Sequence, residues 1–138
     1  MKIQSIRLSI VALAVVAVLA GCKTQPAQPA GPTVVQVRLT DFKIELDKDT
    51  IPAGPVKFMI TNASSTTQHE MVLEPVDAVD KAFEANGKTA EASDIDPGKT
   101  STLEWTLDKP GKYRIACHKT MNSVDHFVSG MKTEITVQ

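Results

Sequence analysis

Cysteine is almost missing from this chain, with two among 138 residues. That excludes a disulfide framework as the organiser of the fold. Charge of one sign is missing as well: 15 basic and 16 acidic side chains are interspersed without a long run of either. The basic stripe of a nucleic-acid binder is therefore absent, and no nucleic-acid partner is expected. Aromatic residues make up only 4% of the chain. Internal repeats are lacking, and 138 residues allow one small domain. The long apolar run Leu8–Ala20 is too short to cross a membrane comfortably and follows Lys2 and Arg7.

That run reads as the apolar part of a signal sequence. It ends in Leu19-Ala20-Gly21-Cys22, which resembles a bacterial lipobox. Residues 1–21 are accordingly expected to be a lipoprotein signal peptide, with Cys22 lipidated (a palmitate-type anchor) as the mature N-terminus. Lys23 stands where many Gram-negative lipoproteins carry an inner-membrane retention Asp. The resemblance thus implies the outer membrane facing the periplasm, or the outer face of a single cell membrane. Residues 22–33, rich in proline and small polar residues, form a linker that could reach about 30 Å if extended. Two of the 15 basic groups leave with the signal, so the mature chain carries 13 against 16 acidic ones, a formal −3.

Residues 34–138 are the expected domain. Apolar residues alternate at Val35, Val37 and Leu39, and then at Phe42, Ile44 and Leu46, with a bend at Thr40-Asp41. Val56, Phe58 and Ile60 give a further strand face, as do His69, Met71 and Leu73. Ser101, Leu103, Trp105 and Leu107 form the clearest half-buried strand; Tyr113, Ile115 and Cys117, and then Thr133, Ile135 and Val137, complete the set. Turn signals separate them: Asp47-Lys48-Asp49, Ile51 to Pro55, Asp96 to Lys99 and Asp108 to Gly111. Short strands between such turns predict an all-β sandwich. One segment departs from the pattern. Val76, Val79, Ala82 and Phe83 fall at helical spacing before Asn86-Gly87, which predicts a short helical excursion. Lys88 to Asp94 is polar and carries no pattern.

With Cys22 assigned to the lipid, Cys117 is left without an intramolecular partner in an exported protein. An odd thiol there is a hazard unless sheltered or ligated. Cys117 stands at a strand end, His126 in the following loop and Met131 at the start of the next strand. His69 is the candidate for a second imidazole. A thiolate, two imidazoles and a weak thioether suit one mononuclear copper. Structural zinc usually takes four cysteine or histidine ligands, and methionine is unusual for it. His118 follows Cys117 directly, so strand alternation points it away and an exposed histidine is expected; the sharper alternatives let it replace His126 or join Met121 in a second copper site.

From Phe42 onward the chain resembles the cupredoxins. The resemblance rests on Ile51-Pro52-Ala53-Gly54, Asn62 followed by His69-Glu70-Met71-Val72-Leu73, Pro97-Gly98-Lys99-Thr100, Pro110-Gly111-Lys112-Tyr113 leading to Cys117, and His126 to Met131. It implies a Greek-key β-sandwich. It also implies His69, Cys117 and His126 as equatorial ligands, Met131 as the axial ligand, and an exposed His126 edge as the exchange port. The implied function is one-electron transfer with protein redox partners outside the cytoplasmic membrane, by a monomer that is not itself an enzyme. Copper trafficking, storage or resistance is the alternative, and a structural or partner-binding module is a third reading. Two departures stand out: eight residues separate Cys117 from His126 where many relatives have two to four, and Glu70 replaces a frequent Asn.

Overall fold

The computed structural model describes residues 31–138. The expected signal peptide (residues 1–21), Cys22 and most of the expected linker lie outside the described residues. Every regular element described is a strand.

A four-stranded sheet has the order β2-β1-β4-β9, formed by Lys43–Leu46, Thr33–Thr40, Gly54–Asn62 and Thr100–Leu107. A five-stranded sheet has the order β3-β13-β10-β5-β8, formed by Thr50–Ile51, Lys132–Val137, Gly111–Ala116, His69–Pro75 and Glu91–Ile95. Two ribbons complete the set: β6 (Glu84–Ala85) with β7 (Lys88–Thr89), and β11 (Thr120–Met121) with β12 (Val124–Asp125). Most pairings are antiparallel; β1–β4 and β13–β3 are parallel.

The core is made by the alternating residues. Val35, Val37 and Leu39 of β1, Val56, Phe58 and Ile60 of β4, and Leu103 and Leu107 of β9 meet Met71, Leu73, Ile115, Ile135 and Val137 of the second sheet in one cluster. Trp105 and Tyr113 are partly buried against it. Each fully buried aliphatic contributes about 1.5–3 kcal/mol of transfer free energy, and apolar side chains on both inner faces hold the sheets together.

The expected helix over 76–86 does not form. Arg114 takes the carbonyls that a helix would use internally: Nη1 donates to Val76 O at 2.9 Å, and Nη2 to Pro75 O and Ala78 O. Lys81 N–H donates to Glu74 Oε2 at 3.2 Å, and Asp80 has a φ of 53°, outside the helical region. Val79 is 55% exposed, so the apolar spacing is not a core face. Asn86-Gly87, with φ values of 53° and 72°, is the turn of the β6–β7 ribbon rather than a helix terminus. Phe83 alone reaches inward, to Tyr113, with ring centroids 5.6 Å apart. The unpatterned stretch from Lys88 contains β8, which hydrogen-bonds to β5 and buries Ala92 and Ile95.

The loop from Asn62 to Gln68 is built by one buried amide. Asn62 Nδ2 donates to Thr67 O at 2.9 Å and to Ile95 O at 2.7 Å, and its Oδ1 accepts from Ser64 N–H at 3.0 Å. Asn62→Ala strands these buried groups, and a loss of about 2–3 kcal/mol in denaturant unfolding is expected. A loss below about 0.5 kcal/mol would show that the loop holds without it.

Candidate metal centre

Strand direction brings the candidate residues together. In the second sheet β10 lies between β5 and β13 and runs antiparallel to both, with Ala116 opposite Val72 and Lys132. The end of β10, the start of β5 and the start of β13 therefore share one end of the sandwich. Cys117 follows β10, His69 opens β5 and Met131 immediately precedes β13.

Their backbones are stitched to one another. Cys117 N–H donates to Met131 O at 3.1 Å, Met131 N–H to His126 O at 2.9 Å, and His126 N–H to Lys119 O at 3.0 Å. The long Cys117–His126 interval does not hang loose. It folds into the β11–β12 ribbon, turned at Asn122-Ser123, both in the left-handed region with φ of 50° and 65°.

Three side-chain donors converge. His69 Nδ1 is 3.3 Å from His126 Nδ1, and Cys117 Sγ is 3.4 Å from His126 Nδ1 and 4.0 Å from His69 Nδ1. All three residues are buried, as is Met131. They are the one cluster of three or more histidine, cysteine or acidic groups with metal-ligand spacing among the described residues. A first-row ion about 2.0 Å from each nitrogen and about 2.3 Å from sulfur would itself space such atoms about 3.3–3.8 Å apart. The donor set and its spacing therefore fit a transition metal, and the soft sulfur donors fit copper better than zinc.

Burial keeps the triad neutral without a metal. It pushes the Cys117 thiol up, against the opposing pull of the Glu70 and Lys119 N–H groups. It lowers His69, with the His126 charge adding to the effect, and lowers His126. The unfolded chain thus binds protons at these histidines that the folded chain refuses. Metal-free protein should lose stability as pH falls below the ordinary 6.5, and the midpoint of thermal unfolding should drop across that window. Glu70, raised by burial, works in the opposite sense from 4.5 upward. A midpoint that stays flat or rises on acidification from about pH 7 to about pH 5.5 would contradict buried neutral imidazoles.

The surrounding polar groups fix the ligand loops. Glu70, in place of the frequent Asn, accepts His118 N–H at 2.8 Å and so ties β5 to the residue after Cys117. Asp41 Oδ1 lies 3.6 Å from His69 Nε2, a nitrogen with no hydrogen-bond partner in the structure, and accepts Ser64 Oγ at 2.7 Å. The Ser64 hydroxyl keeps the Asp41 carboxyl below its usual range. A carboxylate behind the far nitrogen of a histidine is a common support for a metal ligand.

Three expectations are revised. His118 is not exposed: its side chain is 11% accessible, Nε2 lies 3.1 Å from Glu74 Oε2, and the ring stacks on Phe127 at 4.7 Å. The expected exposed edge of His126 is also missing, since His126 is only 1% accessible and the Phe42 ring lies edge-on to it at 5.5 Å. Phe42 was expected on a strand face. It sits instead in the Asp41-Phe42 turn between β1 and β2 with a φ of 60°, which swings its ring over the site. A DF pair at a predicted bend was the signal available in the sequence; its contact with His126 is tertiary.

No curated protein matches the chain. Solved structures do. The dithionite-reduced auracyanin of Roseiflexus castenholzii is 22% identical over 79% of this chain and 99% of its own, with a TM-score of 0.58. Auracyanin A, a "blue" copper protein from Chloroflexus aurantiacus, is 19% identical over 78% of this chain and 100% of its own, at 0.56. An auracyanin B structure gives 19% identity, 77% and 88% coverage, and 0.59. At these identities the likeness shows the shared fold. The cupredoxin-like domain family matches residues 9–128, most of the chain, so this protein belongs to the cupredoxin-like family.

Proposed function

We propose that the protein is a one-electron carrier in which His69, Cys117 and His126 would hold a single copper, with Met131 as a weaker sulfur donor. The observation that carries this is the convergence of two imidazole Nδ1 atoms and one thiol Sγ within 4.0 Å, all buried. Bound copper would supply an electron by cycling between its two common oxidation states. The chain's own residues provide an ordered frame. Cys117 offers a polarizable sulfur whose backbone continues directly into β10. The two histidines stay neutral and ready to bind. The hydrogen-bonded loops limit how far any donor can move, and a fixed donor set keeps the rearrangement between oxidation states small.

The protein works outside the cytoplasmic membrane, tethered through Cys22, as a monomer that meets protein redox partners and catalyses no reaction alone. The auracyanin likeness and the signal-like N-terminus support this placement. Copper trafficking would be favoured by His118 and Met121 in the long loop together with the tether, and His118 is engaged with Glu74. Electrochemistry of the copper-loaded domain separates the two readings. A reversible one-electron wave, with copper retained in both states against a Cu(I) chelator, is the expected result. Ready surrender of Cu(I) would move the assignment to trafficking.

A further inference from the structure

We propose that Phe42 is a fixed shutter on the imidazole side of the metal site, closing His126 to external ligands. The inference rests on the copper reading above for its purpose but on the described geometry for its content. Two-residue turns favour Gly, Asn or Asp where φ is positive, and a bulky ring there is disfavoured. Phe42 nonetheless has a φ of 60°, and the residue is 42% exposed. An unfavourable backbone persists where the surroundings hold it, and such places concentrate at functional sites.

The surroundings do hold it. Asp41, the other turn residue, accepts the Ser64 hydroxyl at 2.7 Å, and Ala63 N–H donates to Leu39 O at 2.8 Å. The first bond fastens the turn, and the second the end of β1, to the loop that delivers His69. The ring meets His126 edge-on, at 5.5 Å and 85° between planes. Phe42 is therefore partly exposed to solvent while it packs against an imidazole that is 1% accessible. The Nδ1 of that imidazole points inward, 3.4 Å from Cys117 Sγ. Phe42 acts through position. It keeps water and small anions from the site and makes an apolar ring, rather than an imidazole edge, the surface presented at this end.

The test uses Phe42→Gly, which removes the ring while suiting the positive φ, and Phe42→Tyr, which keeps the ring. Metal-free proteins are treated with diethyl pyrocarbonate and modified histidines are mapped by mass spectrometry. His126 should be protected in the natural protein and in Phe42→Tyr, and should react at least tenfold faster in Phe42→Gly, with His69 still protected and the β-sheet circular dichroism retained. Unchanged protection of His126 in Phe42→Gly overturns the proposal. So does equal reaction of His69 and His126, which would make the turn a general clamp. This arm needs no copper, so it stands or falls apart from the copper reading. In the Cu(II)-loaded proteins, azide should perturb the visible spectrum of Phe42→Gly only. A response of equal size in the natural protein would overturn the shutter, whereas a natural protein lacking the thiolate–copper band would overturn the copper reading alone.

Discussion

Cys117→Ser is expected to abolish the intense visible absorption of the Cu(II)-loaded domain. The band requires electron density moving from a thiolate sulfur to copper, and Cys117 is the only cysteine among the described residues. A serine hydroxyl matches the size of the thiol but is a hard, weakly acidic donor, poorly suited to copper in either oxidation state. The two imidazoles would remain, so weak copper binding can persist with the large hyperfine splitting of ordinary Cu(II). Natural protein should instead show small splitting, because the thiolate shares the unpaired spin. The comparison needs residues 24–138 of both proteins, loaded with Cu(II), in visible and EPR spectra. Colour retained in Cys117→Ser would remove Cys117 from the site. A colourless natural protein would mean that the converging donors do not hold copper, and the partner-binding reading would then lead.

Arg114→Ala should be the most damaging change outside the metal site, lowering stability by about 3–5 kcal/mol, because it leaves a buried carboxylate without its cation. Glu74 has no accessible surface, and Arg114 Nε donates to its Oε1 at 2.6 Å. His118 Nε2 and the Lys81 N–H reach Oε2. The same guanidinium satisfies the carbonyls of Pro75, Val76 and Ala78, and lies 5.3 Å from the Phe127 ring centroid. Its removal therefore takes a donor from the carboxylate and from three carbonyls, of which Pro75 O keeps the Ala78 N–H and Val76 O faces solvent. Lys cannot replace it, having no planar fork to reach several acceptors at once. For a domain of this size the loss corresponds to a fall of roughly 15–25 °C in thermal midpoint. Exposed pairs such as Lys112–Glu134, at 2.8 Å, make the contrast, since solvent and salt screen them. A fall below about 5 °C in Arg114→Ala would show that the network is not holding residues 75–81 in place. The copper band should survive in any fraction that stays folded, because none of these groups is among the converging donors.

The split between what was legible and what was not follows the range of the interactions. β1, β4, β9 and β13 could be read from alternation because each buries one face, and that periodicity is local. β8 could not: Glu91 to Ile95 buries only Ala92 and Ile95, and its register with β5 is broken by a bulge. The false helix had correct spacing but the wrong competitor, since an arginine about 36 residues away took its carbonyls. Asn86-Gly87 was a hairpin signal that reads equally well as a helix end when only one flank is considered.

By itself, then, the amino-acid sequence determined the donor chemistry and the strand class. The ordered set His69, Cys117, His126 and Met131, with its one unpaired cysteine, and the two-residue periodicity are properties of residue type and spacing. The tertiary structure decided everything that depends on residues meeting across the chain. It set the 3.3–4.0 Å triangle of donors, engaged His118 with Glu74, folded the long loop into a ribbon and laid Phe42 over His126. Those outcomes depend on strand order, on satisfying buried polar groups and on a strained turn held by distant contacts, and local pattern carries no record of them.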